Sequence, residues 1–288
     1  MSYNDNLLQR HDFGPAVGVS LHGQTEYIAD EGRDVISLDG SEGTYYQLDD
    51  ASSLTGHNCN TIAFWFKPSN QIDYNSGPTD QIIMRLKDGS NPEHYERFLI
   101  SFGRFQTADN GQVNNTLVAV RHLVRGVEGH SGVGSTYIPN QYKGISAINT
   151  YNDIDGTSSS SFSADTWYHF AISYNHQEDT PSPPYLGKYD FYINGILQAH
   201  FTDIGRHGNA PLLGNYSFDK AAFSYPFEEC TGAEELIIGS DSSRGGFEGL
   251  VDDVRIYSTS LTGAEIQEVM LDYNIMSPDM LSRLRLLS

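Results

Sequence analysis

The sequence predicts an all-β fold, a sandwich of two antiparallel sheets with a short C-terminal helical extension, and three observations carry that prediction. Short runs with a period of two recur along the chain. Turn-forming residues separate them, with Gly 28, Pro 11 and many Asn, Asp and Ser. One well-marked helix start follows the last run. Hydrophobic residues at 38% and aromatics at 12% supply a sizeable core for 288 residues. A single large unit suits this length, because all-β domains run to ~200–250 residues. We divide the chain into an N-terminal arm (1–30, glycine-rich and weakly alternating), one domain (31–273) and a C-terminal amphipathic tail (274–288).

The first strong segment is Val35-Ile36-Ser37-Leu38, which leads through Asp39-Gly40 into Thr44-Tyr45-Tyr46-Gln47-Leu48. Thr61-Ile62-Ala63-Phe64-Trp65-Phe66-Lys67 follows, with alternate aromatics for the core. Strands are next predicted at 81–86, 97–102 and 116–122, each bounded by Gly, Pro, Asn or Asp. A strand at 167–174 precedes a hairpin at 189–198, where Asn194-Gly195 supplies the positive φ angles of a tight turn. The series ends at 235–240 and 247–257. In the closing strand Val254 and Ile256 alternate with Asp253, Arg255 and Tyr257, the pattern of one buried face. Thr262 and Glu265 then form a capping box, in which each side chain accepts a backbone N–H that the first turn leaves unpaired. A helix therefore begins at Thr262, and Ile266, Val269, Met270 and Tyr273 recur on the face that lies against the sandwich.

In this order the segments resemble the markers of laminin-G-like jelly rolls of the concanavalin A-like lectin/glucanase superfamily. The markers are the Asp39-Gly40 opening, the aromatic strand at 61–67, Trp167-x-His169-x-Ala171, Tyr192-x-Asn194-Gly195 and Asp252-Asp253-Val254-Arg255-Ile256-Tyr257. The resemblance covers about 35–273. Three long insertions depart from it, near 70–80, 123–165 and 203–233, rich in Tyr, Gly, Asn and Ser. Specificity is expected there, since loops beyond ~12–15 residues are usually functional or disordered. After the helix, Ser277-Pro278-Asp279 reads as a second helix start, and Met280, Leu281, Leu284 and Leu287 form an apolar stripe that packs on the domain or docks on a neighbouring chain.

The resemblance implies a structural calcium ion between Asp39 and Asp252, with carbonyls near Ser41 completing the shell. On the residues alone, Asp39 equally makes an Asx-turn and Asp252 a bond to a backbone N–H or an arginine. The resemblance also implies a glycan site on the concave face. If Phe170, Ile172, Phe191, Ile193, Val118 and Val120 face the core, alternation places Arg121, His169 and Tyr192 on the opposite face. There they would suit a sugar ring or a uronate carboxylate, while His169 also fits a structural role. Arg121, His169 and Tyr192 are also the residues with which a polysaccharide lyase reading would be built.

The motif of two catalytic carboxylates on one strand face is missing, for the sequence has no Glu-x-Asp-x-x-Glu run. Glu228-Glu229 and Glu234-Glu235 are adjacent pairs whose side chains diverge. Gly132-Val133-Gly134 lacks the helix a phosphate cradle needs. A net charge of −20 repels phosphate backbones and anionic lipid, which makes nucleic acid and membrane surfaces poor partners, and no stretch approaches the ~20 apolar residues of a membrane span, so no nucleic-acid binding and no membrane insertion are expected. Cys59 and Cys230 have no metal or redox spacing, and their pairing stays open. The N-terminus lacks the pattern of a secretory signal. The expected function is a non-catalytic recognition or adhesion module for glycan or protein. The alternatives are a structural or decoration subunit of a virion or phage particle, held as a homo-oligomer or to neighbours through its ends, and a polysaccharide lyase or glycosidase. The expected setting is a virion surface or an extracellular surface.

Overall fold

The computed structural model describes residues 6–11, 19–30, 33–48, 60–77, 81–88, 96–106, 113–122, 144–153, 155–176, 187–201, 234–240 and 245–272. Alternation in the sequence becomes two antiparallel sheets. The first sheet holds β1 (Leu7–His11), β3 (Glu26–Asp30), β4 (Arg33–Asp39), β6 (Thr61–Pro68), β17 (Tyr168–His176), β18 (Gly187–Ile193), β19 (Ile196–Phe201) and β21 (Glu248–Tyr257). Its order is β19-β18-β17-β6-β21-β4-β3, with β1 joined to β21. The second sheet holds β2 (Val19–His22), β5 (Thr44–Leu48), β8 (Gln81–Asp88), β9 (Glu96–Phe102), β12 (Val118–His122), β13 (Gly144–Ile148) and β20 (Glu234–Ser240), ordered β13-β12-β9-β8-β20-β5-β2. Three short ribbons close one end: β7 (Ile72–Asp73) with β16 (Ser161–Phe162), β10 (Phe105–Gln106) with β11 (Val113–Asn114), and β14 (Tyr151–Asn152) with β15 (Ser158–Ser159).

Alternate residues of both sheets meet in one core. Phe64, Phe66, Phe170 and Phe191 come from the first sheet, and Ile100, Phe102, Val118, Val120 and Ile238 from the second. Phe66 stacks on Phe102 at 4.4 Å across the sandwich, and Phe162 meets Phe66 edge-on at 5.0 Å. Such aromatic pairs add about 0.5–1.5 kcal/mol beyond the area they bury.

The helix α1 (Gly263–Asp272) starts where the capping box requires. Thr262 N–H donates to Glu265 Oε2 at 2.8 Å and Glu265 N–H to Thr262 Oγ1 at 3.3 Å. Ile266, Val269 and Met270 are buried. They lie on the outer face of the first sheet, with Ala63, Ala171, Tyr192 and Tyr257 on one side and Val35, Trp65 and Trp167 on the other. A polar knot aims the entry to the helix: Leu261 N–H donates to Thr61 Oγ1 at 3.0 Å, and Ser173 Oγ donates to Leu261 C=O at 3.0 Å.

Two sequence expectations change. Residues 1–30 do not read out as an arm where they are described: β1, β2 and β3 pair with β21, β5 and β4 in both sheets. Glycines and exposed polar side chains had blurred the alternation there, because edge strands bury few residues. The insertion near 123–165 is likewise more than a loop over its described part. It adds β13 to the second sheet and sends Tyr151 and Phe162 into the core, stacked at 5.2 Å. Cys59, Cys230, Glu228-Glu229, Gly132-Gly134, the insertion near 203–233 and the stripe Met280, Leu281, Leu284 and Leu287 lie outside the described residues.

Gly239 tests the close approach of β20 to β5. Its φ is +103°, and a Cβ there would sit 2.6 Å from Thr44 O and 3.0 Å from Tyr45 Cα. Gly239→Ala is expected to cost more than ~1 kcal/mol in urea unfolding, since both the backbone conformation and the space exclude a side chain; an unchanged midpoint would refute the assigned conformation.

Candidate functional site

The closing strand supplies most of the chemistry the sequence singles out, and a bulge arranges it. Asp252 pairs with Trp65 and Arg255 with Ala63, so three steps along β21 match two along β6. The extra residue is accommodated at Asp253, which has φ +44°. Val251, Val254 and Ile256 stay in the core, whereas Asp252, Asp253 and Arg255 lie on the outer side. Asp252 Oδ1 accepts the N–H of Asp253 at 2.7 Å and fixes the bulge.

Asp253 and Arg255 are buried there together. Arg255 Nε donates to Asp253 Oδ2 at 2.8 Å, and Nη1 donates to Asp272 Oδ2 at 3.0 Å at the end of α1. Arg10 of β1 reaches Asp253 Oδ1 at 2.9 Å. Burial alone would lower the pKa of Arg255, but the bonds and charge of Asp253 hold it above its ordinary value. A buried carboxylate is thus shared between two guanidiniums, the arrangement that makes a buried charge tolerable.

The three residues expected to share one concave face do not share a surface. Arg121 stands in β12 of the second sheet, in register between Leu99 and Ile145, whereas His169 and Tyr192 stand in the first sheet. His169 is 1% exposed and Tyr192 5%. The ring of His169 meets Trp65 edge-on at 5.2 Å, and Tyr192 packs in the cluster beneath α1. Alternation does put both on the face away from the core, but the helix covers that face. Burial, with the Arg255 charge nearby, lowers the His169 pKa to about 3, so its ring is neutral. Burial and then the Asp190 charge push the Tyr192 hydroxyl up to about 12. Neither side chain is open to a polysaccharide, which removes the lyase reading from these residues.

The calcium pair is separated in the same way. Glu248 pairs with Asp39 and Val251 with Ile36, so Asp252 lies four residues, roughly 13 Å, from Glu248 along β21. Asp39 instead forms an Asx-turn, accepting the N–H of Ser41 at 2.9 Å, and this bond lowers its pKa. Asp39, Ser41 and Asp252 therefore do not fit one ion, and among the described residues no group of three or more His, Cys, Asp or Glu has a geometry that could hold a metal.

Backbone and amide bonds gather the described turns at one end of the sandwich. Gly246 N–H donates to Gly40 O, Ser69 N–H to Glu248 O and Leu117 N–H to Ile148 O. Asn70 bonds Glu248 at 2.9 Å, Arg104 bonds Gly77 O at 3.1 Å, and Asn115 Nδ2 donates to Asn75 Oδ1 at 3.3 Å. Asp73 Oδ1 accepts the N–H of Asn75 at 2.6 Å, which stiffens the 73–77 turn. Gln198 holds Asn152 by both backbone groups, at 2.6 and 2.9 Å. The sequence marked part of this surface through its long insertions but gave no sign that the turns converge.

A family model described as the concanavalin A-like lectin/glucanases superfamily matches residues 39–267. The chain belongs to that superfamily. Among solved structures, the receptor-binding domain of the botulinum neurotoxin C/D mosaic serotype is similar to this superfamily member at TM-score 0.53 and 14% identity, covering 94% of this chain and 52% of that one. The binding domain of botulinum neurotoxin DC, in complex with rat synaptotagmin II, has TM-score 0.53 and 12% identity, with 94% and 52% covered. Domain 4 of AbnA, an extracellular arabinanase of Geobacillus stearothermophilus in complex with arabinotriose, has TM-score 0.48 and 14% identity, with 92% and 98% covered. The chain spans about half the length of the two neurotoxin domains. No curated protein sequence matches it.

Two tests bear on this lectin-like sandwich. Asp252→Ala is expected to lower stability by about 1–3 kcal/mol, the loss on leaving a buried donor unpaired, and by the same amount in calcium and in chelator; a loss seen only in calcium would restore the ligand role. His169 stays neutral in the fold but takes a proton when unfolded below about pH 6.5. Its contribution is therefore complete above that pH and falls as the pH drops toward about 3. Stability is expected to decline there with a slope reaching about 1.4 kcal/mol per pH unit from this group, and His169→Phe should remove that share of the slope. An unaltered slope in the variant would show that His169 is not the group responsible.

Proposed function

We propose that the chain is a non-catalytic recognition module that binds glycan or protein through the turns at one end of its sandwich. The observation that supports this placement is that the middle of both outer sheet faces is closed. On the first sheet, α1 and the hairpin β3–β4 cover Trp65 and Trp167: Ile28 and Val35 pack there with Met270, and Asp30 takes bonds from Trp167 Nε1 at 3.1 Å and Lys67 Nζ at 3.0 Å. On the second sheet, Leu99, Ala119 and Ile237 alternate with core residues and so point outwards, yet all are closed to solvent. The turns bearing Asn70, Asn75, Asn152 and Asp155 are exposed. Their amides and carboxylates suit hydroxyls, peptide groups and cationic side chains. The neurotoxin domain bound to synaptotagmin II has the same fold, though 12% identity extends the likeness to the fold alone.

Binding is tested on a glycan array and against candidate protein ligands, in calcium and in chelator. Asn75→Ala and Asn152→Ala are expected to weaken whichever interaction is found by at least ~10-fold, or about 1.4 kcal/mol. Binding untouched by both substitutions would defeat the loop-end placement, and release of cleaved or unsaturated sugar would defeat the non-catalytic reading.

A further inference from the structure

We infer that the edge of β21 from Val254 to Tyr257 is a strand-binding site whose ligand is an extended peptide of the pattern Leu-Leu-x-Arg. The chain's own β1 occupies it. This site stands apart from the loop-end reading. The edge exists because β4 follows β21 only from Glu248 to Val251, and the bulge at Asp252 and Asp253 ends that ladder. Beyond the bulge β1 takes over, with His11 opposite Val254, Arg10 opposite Arg255 and Leu7 opposite Tyr257. The path of the first sheet runs β21-β4-β3, and β1 lies off it, paired among the described strands with β21.

The contacts of β1 are those by which an added strand is recognised. Main-chain bonds supply affinity, and pockets for particular side chains supply selectivity. Leu8 packs against the main core, and Leu7 against the cluster beneath α1. Successive side chains of a strand alternate, so the neighbouring leucines serve opposite faces. Arg10 supplies the second guanidinium on Asp253, which is 2% exposed. The segment's terminal carbonyl, Asn6 O, accepts the N–H of Ser258 at 2.9 Å. Charge complementarity thus fixes the arginine of the pattern, and the two apolar clusters fix the leucines. Every one of these contacts is made by residues 6–10, so an untethered peptide of this pattern carries all the groups they require.

Occupancy of the edge is coupled to the helix. Arg10, Asp253, Arg255 and Asp272 form a continuous line of charge from β1 to α1. Met270 of the same helix packs on Trp65 and Trp167, so tryptophan emission reports on the state of the edge.

The test keeps every residue of the chain: a protease site is inserted within residues 12–18, and the purified protein is cut. The severed strand is expected to stay bound, with emission and melting temperature close to the uncut protein. A labelled peptide of residues 5–12 should exchange into the site at one per chain, and the same peptide with Arg10→Ala should bind at least 10-fold more weakly. Three outcomes overturn the inference: the strand departs with no change in emission or melting temperature, the cut protein unfolds and excess peptide does not restore it, or the two peptides bind equally.

Discussion

The carboxylate of Asp253, shared between Arg255 and Arg10, is the contact on which much of the molecule depends. It exists because β21 has one residue more than β6 needs. That residue turns two successive acidic side chains to the same side of the sheet and carries Arg255 with them. Once an acid is placed in that position, desolvation demands partners, and they come from distant parts of the chain: β1 at one end and, through Arg255, α1 at the other. The bulge therefore organises the sequence extremes around the central strand of the first sheet. Buried ion pairs contribute little net stability when compared with apolar replacements, but removing one member of such a group is costly. The arrangement is better understood as fixing which strand and which helix lie where.

That covering explains why residue types suited to carbohydrate have become structural here. Tryptophan, tyrosine, histidine and arginine occupy the outer face of the first sheet, as they would in a sugar site, yet α1 and the β3–β4 hairpin lie on top of them. The aromatic planes pack against aliphatic side chains, and His169 stays uncharged as the price of its position. The turns, by contrast, hold their polar groups in fixed places through Asx and amide bonds.

The fold was legible in the sequence because its strongest signals are local. Alternation located the long strands, Asn194-Gly195 has the two positive φ angles its hairpin requires, and Thr262 with Glu265 starts the helix. The site was less legible because period two gives the side of a strand, not what covers that side. His169 and Tyr192 do point away from the core, but nothing within their own strands announces the helix above them. Asp39 and Asp252 fail for a different reason: strand register is a non-local quantity, and it places Asp39 beside Glu248 instead. The edge strands β1 to β3 escaped notice because one exposed margin and few buried residues weaken the very pattern by which strands are read.

The order of the strands also constrains how the molecule is made. β21, late in the sequence, lies between β6 and β4, and among the described strands it is the partner of β1. Until it has left the ribosome, the first sheet is two unconnected pieces, β19-β18-β17-β6 and β4-β3, each with an open edge lined by core residues. Contacts of such long sequence separation form slowly and leave strand edges exposed meanwhile. A nascent chain of this protein is therefore vulnerable to aggregation while these two pieces await β21, and a truncation that removes 248–257 would leave them unjoined.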